Sequence, residues 1–184
     1  MNKLLFFFFF LVPFCYGQRA DFFQEDITFR LNKSQFNVEG YYWFANNSEK
    51  AIASNLFYPF PNYSGEKIDS IRLFNITSGE YVNYNFEDSH GISFNLNILP
   101  KDTVLLQIGY RQEIKSDRAL YILRSTKVWG KPLVFAEYKL IISDSFLIKS
   151  FSYPPDKTYE IQNQKIFLWR MKNFMPGKDM IFYF

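Results

Sequence analysis

One cysteine and one histidine stand in 184 residues, and each scarcity excludes a kind of chemistry. Cys15 lies in the apolar N-terminal segment, so a chain that loses that segment has no thiol for a disulfide framework or a thiolate metal site. A single imidazole, His90, also rules out the common zinc arrangements, which use several His or Cys ligands at short spacing. A nucleophilic enzyme would have to be built on His90 in the turn Asp88-Ser89-His90-Gly91. Neighbours in a tight turn point apart, so these read as solvated turn residues and not as a triad. The eight glycines are scattered without a Gly-x-Gly pair, which removes the phosphate-cradling loop.

Acidic residues are present but unfocused. Glu25-Asp26 and Glu87-Asp88 are the nearest calcium candidates, yet neither sits in a dense acidic loop with glycine, and both pairs read as solvated turn charges. Eighteen acids satisfy the two-carboxylate need of a glycosidase without any spacing that selects a pair. No catalytic residue, metal ligand or cofactor is therefore expected, and the chain reads as a non-enzyme. The formal charge is +3, or +2 once Lys3 is removed, and the charges are interspersed. That balance gives no reason to expect nucleic acid as a partner.

The N-terminus has a clear design. A short basic region ending at Lys3 leads into an apolar run from Leu4 to Val12, closed by Cys15-Tyr16-Gly17. This is the form of a secretory signal peptide over residues 1–17, with cleavage between Gly17 and Gln18 after a small residue. Pro13 stops the run well short of the ~20 apolar residues a membrane-spanning helix needs, so no transmembrane helix is expected in the mature chain. Phe14 before Cys15 is not the small residue that lipidation at that cysteine requires. The expected address is the periplasm or the exterior.

The remainder, residues 18–184, reads as one all-β domain. Phe36, Val38, Gly40, Tyr42 and Phe44 alternate with Asn37, Glu39, Tyr41 and Trp43, and Ile92, Phe94, Leu96 and Ile98 alternate with Ser93, Asn95 and Asn97. Similar runs cover 27–31, 51–58, 68–76, 81–86, 104–110, 120–123, 134–142, 146–151, 166–171 and 180–184. Turn-rich stretches such as Asn32-Lys33-Ser34 and Thr77-Ser78-Gly79-Glu80 separate them. Period-3.6 patterning is absent, so little or no helix is expected. The pattern predicts an antiparallel β-sandwich of about 10–13 short strands, with a hairpin joining 68–76 to 81–86.

Tyr41 and Trp43 are the surface candidates. They share the strand face that carries Asn37 and Glu39, and two rings at i and i+2 suit stacking on sugars or gripping a partner. Trp129 and Trp169, among apolar neighbours, read as core or rim anchors. Asn32, Asn46, Asn62 and Asn75 match the Asn-x-Ser/Thr pattern by chance in an Asn-rich chain.

Tyr58-Pro59-Phe60-Pro61, Ile68-Asp69-Ser70-Ile71, the Gly79 hairpin, Trp129-Gly130-Lys131-Pro132-Leu133 and the stretch from Asn173 to Asp179 follow an order that resembles uncharacterised bacterial secreted β-sandwich families. That resemblance implies a bacterial envelope protein without catalytic activity. The expected function is an interaction or assembly module at the cell envelope, with a protein or polysaccharide partner. The alternatives are a carbohydrate-binding or adhesive domain using Tyr41 and Trp43, and a small outer-membrane β-barrel, suggested by strict alternation and the aromatic end at Phe184.

Overall fold

A computed structural model of the chain describes residues 19–61, 65–87 and 90–184. The proposed signal segment, with Cys15, Gly17 and Gln18, lies outside the described residues, as do Asp88 and Ser89. The described residues form fourteen strands: β1 (Asp21–Leu31), β2 (Gln35–Ala45), β3 (Ile52–Pro59), β4 (Ile68–Asn75), β5 (Glu80–Tyr81), β6 (Tyr84–Glu87), β7 (Gly91–Ile98), β8 (Thr103–Glu113), β9 (Arg118–Tyr121), β10 (Leu133–Ser143), β11 (Ser150–Phe151), β12 (Lys157–Ile161), β13 (Gln164–Phe174) and β14 (Met180–Tyr183). Among the described residues the one helical element is a 3-10 helix at Arg124–Trp129, ended by Gly130 in the left-handed region (φ 70°).

The fold is all-β, as the alternating sequence predicts, and the described strands form three sheets. An eight-stranded sheet runs β12-β13-β10-β1-β2-β8-β4-β5, and two three-stranded sheets run β11-β14-β9 and β3-β7-β6. Alternation places Ile27, Phe29, Phe36, Val38, Leu106, Ile108, Tyr138 and Leu140 on one face of the large sheet, where both small sheets close over them. Phe29 meets Phe182 of β14 edge-on at 5.3 Å, and Tyr42 meets Tyr58 of β3 at 5.7 Å. The large sheet keeps two free edges, β12 and β5, so the described strands form an open sandwich and no closed barrel.

Four details depart from the sequence expectation. β1 pairs with β10 in parallel, Ile27 opposite Tyr138, where an all-antiparallel arrangement was expected. The hairpin from 68–76 to 81–86 is cut short: Val82 donates to the Leu73 carbonyl at 3.0 Å, and the chain then crosses to pair β6 with β7 in a different sheet. The run 146–151 forms a strand only at Ser150–Phe151, and β12, exposed along its whole length, was not anticipated.

Candidate functional site

Inside the sandwich, among the described residues, the apolar face of the large sheet is broken by the carboxyl of Glu25, the amide of Gln112 and the phenols of Tyr42, Tyr110 and Tyr138, and the small sheets add those of Tyr58 and Tyr121. Glu25 is 2% exposed, which corrects its reading as a solvated turn charge. β1 begins at Asp21, and the parity that points Ile27, Phe29 and Leu31 inward carries Glu25 inward with them. Tyr138 donates its hydroxyl to Glu25 Oε1. Burial pushes the Glu25 carboxyl up to about 7, against the opposing pull of that hydrogen bond. Beside it Tyr42 bonds Tyr58 at 2.8 Å and Tyr121 at 2.9 Å, joining β2, β3 and β9. The Tyr42 ring lies flat over Gly40, where a Cβ would come within 2.3 Å of the Tyr42 hydroxyl, so this glycine is required by packing. The cluster is sealed from solvent, and its chemistry is that of a polar brace between sheets.

The opposite face of the large sheet is open. Tyr41 and Trp43 project from it, half-exposed, next to each other along β2, and among the described residues neither has an aromatic partner. Cross-strand register puts Asp26 and Gln107 on either side of Tyr41, and Gln24 and Leu105 on either side of Trp43. Gln107 donates to Glu39 Oε1 and reaches the Tyr41 hydroxyl at 3.4 Å. Desolvation, then the neighbouring Glu137 charge, holds the Asp26 carboxyl above the ordinary carboxylate range. The structure thus brings the two predicted aromatics together with hydrogen-bonding neighbours that sequence spacing did not reveal.

Further along the same face lies a shallow depression of about 230 Å³, lined by Arg30, Asn37, Glu39, Arg72, Gly109 and Arg111 among others. Arg72 pairs with Glu39 at 2.9 Å, and Arg111 pairs with Asp69 at 2.7 Å, holding the Asp69 carboxyl below its usual range. His90 sits exposed in its turn. Among the described residues no three His, Cys, Asp or Glu side chains converge on a metal-sized site, and no helix is long and apolar enough to cross a membrane. Trp169 is fully buried and donates to the Tyr153 carbonyl at 3.0 Å, while Trp129 packs on Phe22 and Phe44, so both are anchors as predicted.

No protein-family model matches this chain, and no curated protein matches it significantly. Solved structures do. The chain superposes on a candidate nutrient-binding protein of Legionella pneumophila with a TM-score of 0.66 and 12% identity, covering 90% of this chain and 67% of that one. It also superposes on an M1 zinc metallopeptidase of Deinococcus radiodurans with a TM-score of 0.55 and 11% identity, over 91% of this chain and 43% of that one. A variant of that enzyme bound to a Tyr-Ser-Ala substrate gives 0.52 at 12% identity. The chain therefore spans less than half the peptidase's length. At these identities the likeness defines the class by fold: an open all-β sandwich that occurs within larger proteins of different activity.

Proposed function

We propose that this chain is a non-enzymatic binding module, exported to the cell envelope, that engages its partner through the outer face of the eight-stranded sheet. The observation that carries the reading is the pair Tyr41 and Trp43 on an uncovered face, flanked by Asp26, Gln24 and Gln107. Flat rings give contact area at low entropic cost, and carboxylate and amide neighbours supply directional hydrogen bonds. That combination suits a polysaccharide, since sugars offer an apolar ring face and a rim of hydroxyls. The Legionella neighbour, named for nutrient binding, supports a binding role at the level of fold.

Immobilised envelope polysaccharide should retain the purified protein, and the double change Tyr41→Ala with Trp43→Ala should weaken retention at least ten-fold at an unchanged melting temperature. Equal retention of the double variant would remove this face as the binding surface. Fractionation of cells expressing the full chain tests the address: accumulation in the cytoplasm would overturn export.

A further inference from the structure

A glycine that packing does not require marks a second subsite on the same face. Gly40 and Gly91 both need to be glycine, since a Cβ would come within 2.3 Å of the Tyr42 hydroxyl in one case and of the Tyr58 carbonyl in the other. Gly109 is different. It lies mid-strand in β8, its φ is outside the left-handed region, and a Cβ there would meet nothing closer than the Val38 carbonyl at 3.5 Å and Arg72 Nη2 at 3.8 Å, both ordinary contacts. Glycine in a central strand gives up backbone entropy and side-chain packing. Here the missing side chain is what opens the floor of the depression.

The rim of that depression is cationic and locally strained. Register sets Arg30, Asn37 and Arg111 side by side on β1, β2 and β8, and sets Thr28, Glu39, Gly109 and Arg72 side by side in the next row. Arg30 is exposed, and its guanidinium makes no hydrogen bond or ion pair to any described residue. Arg111 bonds Asp69 through Nε, which leaves its terminal nitrogens to donate elsewhere. Glu39, the one acid in the lining, is taken up by Arg72 and Gln107. On the β4 side the rim is a bulge in which Ser70 holds φ 54°, a left-handed conformation that a serine adopts at a cost. Guanidinium forks match the planar or trigonal oxygens of an oxyanion better than any other side chain does.

We infer that the depression over Gly109 binds an oxyanion, a carboxylate or a phosphate group, between Arg30 and Arg111. The inference rests on the reading of this face as a binding surface. It adds that the ligand carries negative charge at a fixed offset from the rings: Asn37 lies four residues from Tyr41 and six from Trp43 on β2, about 13 and 20 Å at ~3.3 Å per residue.

The test titrates the purified protein with D-glucuronate and, separately, with inorganic phosphate at constant ionic strength, reading the Gly109 amide and arginine Nε resonances by NMR. Saturable shifts are expected with at least one probe, at least ten-fold weaker in Arg30→Gln with Arg111→Gln and abolished in Gly109→Val. Valine is a strand former that fills the gap without entering a forbidden backbone region. A lower midpoint for glucuronate identifies a sugar acid as the source, and a lower midpoint for phosphate identifies a phosphate ester; both support the site. Shifts that fail to saturate with either probe, or that keep the same midpoint in a folded Gly109→Val, overturn it. Failure here with polysaccharide retention intact removes the subsite alone. Saturable oxyanion binding without retention removes the aromatic platform alone.

Discussion

Glu25 is a buried carboxyl whose environment in the fold differs sharply from water. Its carboxyl ionises ordinarily near 4.5 and is raised to about 7 in the fold, so between those values the folded protein holds a proton that the unfolded chain has released. Stability from this group is complete below about pH 4.5, falls as pH rises to about 7, and is flat above that. A shift of this size corresponds to roughly 3 kcal/mol over the window. Glu25→Gln keeps an acceptor for the Tyr138 hydroxyl and removes the titration. Urea denaturation at pH 5 and pH 8 should show the parent losing stability with rising pH and the variant holding steady. An equal slope in both would mean that Glu25 is not the group responsible.

Elements in this fold are held by contacts distant in sequence, and the entry to β14 shows how. Asp179, 5% exposed, accepts from the Leu123 and Arg124 amides at 3.1 and 3.0 Å, and its other oxygen takes Arg124 Nε at 3.0 Å. One carboxylate thereby fixes the end of β9 and the start of the 3-10 helix against β14. Asp179→Ala leaves the buried Leu123 amide without an acceptor and should cost about 3 kcal/mol in chemical denaturation, with Asp179→Asn, which retains one acceptor, costing less. A loss under about 0.5 kcal/mol for the alanine variant would show that the clamp is dispensable. In the sequence this aspartate closes a Pro-Gly turn and nothing more, because its partners lie 55 residues earlier. The same limit explains what else was legible. Alternation over 36–44 and 92–98 foretold both strands and their buried sides, and the side of β2 that carries Tyr41 and Trp43. It did not foretell β12, whose exposed residues carry no burial pattern, or the crossing of the chain from β5 to β6. The depression over Gly109 arises only when β1, β2, β4 and β8 are laid in register, and no local spacing encodes it.

At the scale of the whole molecule, the parallel pair β1 and β10 is the joint on which the sandwich depends. It brings Gln24 opposite Phe135 and Arg30 opposite Ile141, so the N-terminal hairpin and the C-terminal third share one sheet. Parallel strands need a long crossover, and hairpin logic read along a sequence finds only neighbours, which is why this pairing was not foreseen. Placing β1 and β2 at the centre surrounds their inward residues with both small sheets, while β12 and β5 are left as edges. Native-state hydrogen exchange should rank the strands accordingly: slowest amides in β1, β2, β8 and β10, opening only with global unfolding, and fastest in β5 and β12, opening locally. Protection in β12 equal to that in β1 would mean that the edge is covered in solution, by a second copy or by another part of the chain. Closing the β1–β10 pair must also precede most of the core burial it enables, so refolding should be slow for a chain of this size, with protection of β1 and β10 arising together.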